Sequence, residues 1–361
     1  MTTTTDVRET APAPDPGGLR HGQLSRAQHY GIVAAAIVLG ALSWLIDGAS
    51  PNWARWLIVS VLAYVALIYG IARAVEGKRE ATDRAMVAIV TCSFLIVAIP
   101  LVSVVWTVLS EGLTRFDVTF FTDTMRGIVG EGGGAYHAII GTLLVTGLTA
   151  LISVPFGVFT AIYLVEYGHG TRLSKGITSM VDVMTGIPSI VAGLAAYALF
   201  EILFGPGTRS GLAAAAALTI LMVPIVVRAT EEMLRLVPNE LREASYALGV
   251  PKWKTIVKVV IPTAIAGIIT GVVLAVARVI GETAPLLVTA GLAQGVNWNP
   301  FDGRMTTLPV FTYYQYVQPG IPPEAGQERA WTAALVLIII VMILFTIARV
   351  LSTILKPKGL R

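Results

Sequence analysis

The amino-acid sequence predicts an all-α membrane protein, a polytopic helical bundle, on three observations. Hydrophobic residues make up 55% of the 361-residue chain. Charged residues make up 13%, about half the share of a soluble domain. Apolar stretches of about 20 residues recur, which is the length that crosses a bilayer's hydrocarbon. The mean hydropathy of +0.74 agrees, and a large soluble helical protein does not fit the low charge together with the recurring apolar stretches.

The first 30 residues are rich in Thr, Pro and Gly and cannot bury a core. Residues 1–30 are therefore expected to form a disordered cytoplasmic tail. A cleaved signal peptide does not fit, because the polar lead is long and no A-x-A site follows the first apolar run. Eight spans follow, near 31–47, 53–74, 85–110, 136–166, 177–204, 209–230, 259–290 and 330–355. The first is the shortest. The longest exceed the bilayer at 1.5 Å per residue, so they must tilt, kink or project. Pro155, Pro188 and Pro224 are expected to kink or thin their helices.

Lys and Arg fix the orientation. With the N-terminus inside, 19 of the 26 fall on the cytoplasmic side, six outside (Arg55, Arg115, Arg126, Arg209, Arg304, Arg329) and Arg278 within a span. All seven lysines are inside, so both termini are expected in the cytoplasm. The net charge of +4 is spread over the ends of the apolar segments, which is not the clustered patch of a nucleic-acid binder. Cys92 is the single cysteine and the four histidines are scattered. No intrachain disulfide, metal site or cofactor is expected. Two long external segments, Glu111 to Ala135 and Gly291 to Arg329, carry Phe116, Phe120, Phe121, Trp298, Phe301 and the run FTYYQYV. Such aromatics suit a membrane-interface belt or a protein-docking face.

The segment Glu231 to Lys258 is a polar island between two apolar runs. Pro238-Asn239 breaks one helix and starts another, with Glu240 and Glu243 in its favourable first turn. Leu241, Ala244 and Leu248 recur on one narrow face. Gly249 suits the left-handed residue that ends a helix. Lys252, Lys254 and Lys258 line a second amphipathic piece, and Pro262 opens the next span. The result is a compact helix–turn–helix on the cytoplasmic surface, fit either to lie on headgroups or to press a small, stiff projection into a partner.

The run VARVIGETAPLLV places Arg278 and Glu282 four residues apart, on one helix face, among apolar neighbours. An intramembrane charge costs at least about 2.5–3.5 kcal/mol, so Arg278 must meet a partner or a wet cavity. Glu282 offers part of that compensation. A guanidinium also suits a tetrahedral oxyanion, and Gly281 and Pro285 interrupt the helix as at many substrate sites. Pathway and buried ion pair both remain open. Arg228, ending the sixth span, reads as a positive-inside flank or as a second pathway cation. Asp182 falls in the cytoplasmic half of the fifth span.

Glu243-Ala244-Ser245, Gly249 and Ile261-Pro262 stand at the spacing of the EAA loop of ABC-transporter permeases, and residues from about 136 to 355 resemble the six-span core of type I ABC importer permeases. The third span fits as the first of the six. Tyr136 through Thr142, Gly186 through Val191, and Arg278 through Pro285 are similar to the high-affinity phosphate (Pst) permeases. Thr307-Leu308-Pro309 and the C-terminal placement of the loop favour the A type over the C type. Ser245 stands where the motif has a second Ala.

This resemblance implies a permease domain over 84–356, with its coupling loop at 231–258 and an additional transmembrane pair at 31–75. It implies a prokaryotic plasma (inner) membrane protein without catalytic activity, importing inorganic phosphate. The partners implied are a second homologous permease subunit of C type, two ATP-binding subunits and an extracytoplasmic phosphate-binding protein, beside membrane lipid and without nucleic acid. The chain has no G-x-x-x-x-G-K-[ST] and so no P-loop of its own. By the motif match, Glu243, Ala244 and Gly249 couple to the ATPase, with Ser245 expected to act beside them, and arginines matching Arg278 and Arg228 are associated with phosphate passage. Glu282 is expected on the translocation pathway as the neighbour of Arg278. A permease for another oxyanion (molybdate or sulfate), a proton-coupled secondary transporter and a purely structural or sensory subunit are the rivals.

Overall fold

A computed structural model describes residues 24–43 and 52–354. Most of the expected tail, the end of the first expected span and the basic C-terminus (Lys356, Lys358, Arg361) lie outside them. The chain divides into two compact units, 1–105 and 106–361, with the division inside one long helix.

In the first unit, Ser25 and Gln28 form a capping box, each side chain accepting from the other's backbone amide at 3.3 and 2.9 Å. That cap starts α1 (Arg26–Leu42) before position 31, where the tail was expected to end. With 17 residues α1 is about 25 Å long, short of a typical hydrocarbon core of about 30 Å. It packs on α2 (Trp53–Val75), and Ile32, Ile68 and Ala88 form the small core they share with the start of α3 (Lys78–Gly112). Glu76, buried in the turn between α2 and α3, accepts from the Leu24 amide at 2.5 Å and from two Arg84 nitrogens at 2.5 and 2.7 Å. The Arg84 hydrogen bonds hold its carboxyl below the usual range.

The second unit opens with the end of α3, followed by α4 (Val118–Thr122), capped by Asp117, which accepts from the Phe120 amide at 2.8 Å and the Thr119 hydroxyl at 2.5 Å. The Thr119 bond is the main reason the Asp117 carboxyl sits low. Then come α5 (Tyr136–Tyr167), α6 (Arg172–Thr185), α7 (Ser189–Phe204), α8 (Gly211–Arg235), α9 (Asn239–Ala247) and α10 (Lys252–Ile280). The short α11 (Ala284–Thr289), α12 (Leu308–Val317) and α13 (Pro323–Ile354) complete it. Alanine-rich α8 is the central helix, because small side chains let α5, α7 and α10 approach it closely. Val145, Leu218, Met222, Val226, Ala275, Val279 and Leu286 form the core there. Large apolar side chains such as Val97, Phe159, Ile202 and Met342 point outward, as expected of surfaces facing lipid or subunits.

Among the described residues six helices are long and apolar enough to cross a bilayer, or seven if α6 and α7 count as one span. Eight were expected. The expected span 177–204 is not one helix but the pair α6 and α7, bent by 108°. Pro188 does not kink a continuous helix there; it caps α7 after a break at Gly186-Ile187, since the residue before a proline is pushed out of helical geometry. Asp182 accordingly lies on amphipathic α6 rather than inside a span. Pro155 and Pro224 remain inside unbroken helices. The span expected over 259–290 stops at Ile280 and resumes as α11.

The α7–α11 contact is the tightest of these joints. A Cβ on Gly193 would fall 2.6 Å from Cα of Pro285, a backbone atom that cannot step aside. Gly193→Val is therefore expected to cost about 1–3 kcal/mol in overpacking, read as a lower denaturation midpoint of the detergent-solubilised protein by scanning fluorimetry. An unchanged midpoint would show that the two segments separate freely.

Candidate functional site: a coupling projection and a line of arginines

Helix α9 begins at Asn239 after Pro238 and ends in a Schellman motif. The Val250 amide donates to Ser245 O at 3.2 Å and the Gly249 amide to Tyr246 O at 2.9 Å, with Gly249 at φ +75°. A side chain with a Cβ is strained at that angle, so glycine fits the sharp turn. Glu243, Ala244 and Gly249 are exposed, and so are Leu241 and Leu248, the latter by 83%. The narrow apolar face expected at 241, 244 and 248 thus faces outward, available to a partner. Ser245 differs from the other three coupling candidates. It is buried, and its hydroxyl pairs with that of Thr255 at 2.8 Å, tying α9 to the first turn of α10. Its small size serves packing inside the projection.

Arg242 anchors the other side of α9. It donates to Glu166 Oε1 through Nε at 3.1 Å and Nη2 at 2.7 Å, to Val237 O at 2.6 Å and to Leu234 O at 3.0 Å. Both side chains are sheltered, with 13% of Arg242 and 4% of Glu166 exposed. Glu166 sits in a π turn, Tyr163–Tyr167, that ends α5, and a second π turn, Ile256–Val260, opens α10. Such turns recur at functional sites. This latch was missed from the sequence. The clue was a lone acid in the apolar run YLVEY, which needs a cation, though the polar island offers several and the sequence does not choose among them.

Arg228 is neither a bare flank nor a free cation. It is half-buried and ion-paired to Asp182 of α6, and to Glu231 at 2.9 Å. Glu231 also holds Arg235 at 2.5 Å. The network fastens α6 to the C-terminal end of α8, and neither Asp182 nor Glu231 was expected from the sequence to pair with Arg228.

Arg278 is exposed and forms no ion pair among the described residues. The expected pairing with Glu282 is absent. The helix ends at Ile280, so Glu282 no longer lies one turn above Arg278 on a continuous face. Glu282 is half-buried in the break before α11. Arg278 and Arg228 are not brought together either. Gly271 of α10 packs against Ala229 of α8, so Arg278 lies seven residues, about 10 Å, beyond the level of Arg228.

In the two segments expected to lie outside, Phe120 is fully buried and Phe311 nearly so, within a core shared with Leu308 and Ala333. These two therefore belong to neither a belt nor a docking face, whereas Trp298, Phe301, Tyr313 and Tyr316 are exposed. Arg329 is buried and donates to Gly130 O at 2.8 Å and Gly132 O at 3.0 Å, fixing the glycine loop.

A family model described as "Binding-protein-dependent transport system inner membrane component" matches residues 153–359. The chain is 50% identical over 254 residues to "Phosphate transport system permease protein PstA 1" of Mycobacterium tuberculosis (strain CDC 1551 / Oshkosh), covering 69% of this chain and 81% of that one. It is 46% identical over 276 residues to PstA of Mycobacterium leprae (strain TN), covering 75% and 88%. To PstA of Pasteurella multocida (strain Pm70) it is 39% identical over 263 residues, covering 72% and 91%. The match takes in α8, the α9 projection and Arg278 alike. The chain belongs to the binding-protein-dependent transport family of inner membrane components and, within it, to the PstA permeases.

Proposed function

We propose that this chain is the transmembrane permease subunit of an ATP-driven importer of inorganic phosphate. It lies in a prokaryotic plasma membrane with both termini cytoplasmic, and ATP is hydrolysed by a partner. The relatives' shared name gives the substrate class. The observation that carries the reading is Arg278, an exposed guanidinium without an ion-pair partner among the described residues, on the helix whose other end joins the coupling projection. An unpaired cation in a spanning helix is costly unless an anionic cargo or the facing subunit meets it.

In the assembly, a second homologous permease of C type closes the pathway against Arg278. Two ATP-binding subunits receive Glu243, Ala244, Leu248 and the turn at Gly249, and an extracytoplasmic phosphate-binding protein delivers the cargo. Residues 31–75 add a transmembrane pair beside a permease domain at 84–356. Closure of the ATPase pushes α9. The push reaches α5 through Arg242 and Glu166 and α10 through Ser245 and Thr255, because both joints are buried and hydrogen-bonded. Inside the bundle, phosphate first meets Arg278, with Glu282 nearby to prevent too firm a hold. About 10 Å further in, it meets Arg228, where it must displace the Asp182 carboxylate.

Asp182→Asn tests that last step. With the competing carboxylate gone, phosphate should be held about tenfold more tightly by the resting complex and delivered several-fold more slowly. Equilibrium binding and initial uptake rates check both, and no change in either would contradict a displacement at Arg228. The function itself is tested with the full complex in proteoliposomes. Uptake of labelled phosphate should require ATP, survive an uncoupler, and be inhibited by arsenate and not by sulfate. Inhibition by sulfate alone would assign another oxyanion. Uptake that persists without ATP and collapses with an uncoupler would assign a secondary transporter.

A further inference from the structure

At the end of α8 opposite the coupling projection, about 37 Å from Arg235 at 1.5 Å per residue over its 25 residues, two arginines lie side by side. Gly291, just past α11, has φ +77°. A Cβ placed on it would come within 3.0 and 3.1 Å of Cγ and Cδ of Arg304, and within 3.2 Å of Cδ of Arg209. Two cationic stems therefore pass through the space that a side chain at 291 would fill. A third arginine, Arg126, reaches to 3.9 Å from the corresponding point on Gly295, and the Met125 amide ties that segment to Gln294 O at 3.1 Å.

Like charges this close repel unless something stands between them. No carboxylate does so by direct contact, because Arg126, Arg209 and Arg304 form no ion pair among the described residues. Arg209 lies over the Tyr197 ring, 5.9 Å from its centroid, and Tyr197 in turn donates to Glu201 at 2.6 Å. Arg304 and Arg126 donate no side-chain hydrogen bond to any described residue. Neither stem is needed to satisfy the end of α11, since Thr289 O accepts from the Ser210 amide at 3.0 Å and Ala290 O from the Met305 amide at 3.0 Å. Arg209 is engaged by Tyr197 and lies within electrostatic reach of Glu201, while the Arg304 fork beside its stem keeps its donors unmet. Together they offer a charged fork and a second cation to the acceptor oxygens of one phosphate group.

We propose that Arg209 and Arg304 form an anion-receiving site for a phosphate-type oxyanion at the external mouth, with Arg126 at its edge. The α11 segment separates this site from Arg278 and Glu282, so the pair would hold the anion one step before Arg278. The external placement rests on the permease reading above; the pairing of the two stems does not. The same chemistry is offered by a free phosphate ion and by a phospholipid headgroup.

The test uses the whole transporter without its binding protein, purified in maltoside detergent and stripped of phospholipid. Binding of radiolabelled inorganic phosphate is compared for wild type, the double variant Arg209→Gln/Arg304→Gln, the double variant Arg209→Lys/Arg304→Lys, and Arg349→Gln as a control for net charge. The Gln pair should weaken binding at this site at least tenfold. The Lys pair should keep it within a few-fold, which also shows that the fold survives, and Arg349→Gln should behave as wild type. Gly291→Ala, which forces the two stems apart, should weaken binding as well. Wild-type binding in the Gln pair would overturn the site. Titrating phospholipid back then separates the sources: displacement of labelled phosphate marks a headgroup as the resident ligand, and undiminished binding marks the free ion. ATP-driven uptake by the wild-type complex is measured in parallel. Its absence would overturn the permease reading and leave the site standing.

Discussion

Arg278→Gln is expected to lower ATP-driven phosphate uptake by about 100-fold while the protein folds and assembles as before. The side chain is exposed and makes no ion pair among the described residues, so its removal breaks no structural contact and relieves an insertion cost of about 2.5–3.5 kcal/mol. What disappears is a pair of charge-assisted hydrogen bonds to the passing anion. At about 1.5–3 kcal/mol each, and with a factor of ten for about 1.4 kcal/mol, losing both suffices for that effect. Arg278→Lys keeps the charge and loses the fork, so it should recover only part of the rate. The measurement is uptake by the full complex in proteoliposomes, normalised to assembled protein. Uptake within twofold of wild type would remove Arg278 from the pathway and favour a purely structural chain.

Arg242→Ala should damage both stability and coupling. Its guanidinium joins α9 to Glu166 at the end of α5 and to two carbonyls at the end of α8. Removing it strands a buried carboxylate, which costs about 3–5 kcal/mol. Arg242→Lys cannot reach those acceptors together and should behave nearly as badly. The double variant Glu166→Gln/Arg242→Gln leaves no buried charge. It should regain most of the stability and still transport several-fold fewer phosphates per ATP hydrolysed, because neutral amides make a softer joint. Thermal denaturation and the ratio of transport to hydrolysis read these two effects separately. A double variant with normal coupling would mean that force enters the bundle by another route, such as the Ser245–Thr255 joint.

The helical class and most span positions were legible because lipid imposes a strong, one-dimensional constraint: about 20 apolar residues with few charges. The projection was legible for a local reason, since Pro238, Gly249 and Pro262 punctuate it in chain order. The break at Gly186-Ile187-Pro188 was harder to read. The apolar residues of 177–204 run on through it, and only the geometry of Pro188 separates an amphipathic α6 from a spanning α7. The Arg242–Glu166 latch joins residues 76 apart and Arg228–Asp182 joins residues 46 apart. Local periodicity carries no information about such pairs. The Arg278–Glu282 pairing failed because helical spacing holds only while the helix lasts, and Gly281 ends it. Arg209 and Arg304 lie far apart in the chain, and only the missing side chain of Gly291 reveals that they are neighbours.

The central claim is that α9 is the point where a separate ATPase drives this bundle. A single cysteine placed at Ala244 in a Cys92→Ser background, inside the assembled complex in right-side-out and inverted vesicles, tests it most directly. The account predicts a crosslink to the ATP-binding subunit that changes in yield between the nucleotide-free and ATP-bound states, with the thiol reachable by impermeant reagents only in inverted vesicles. A cysteine that never crosslinks to the ATP-binding subunit, or that is labelled from the outside of right-side-out vesicles, would contradict it.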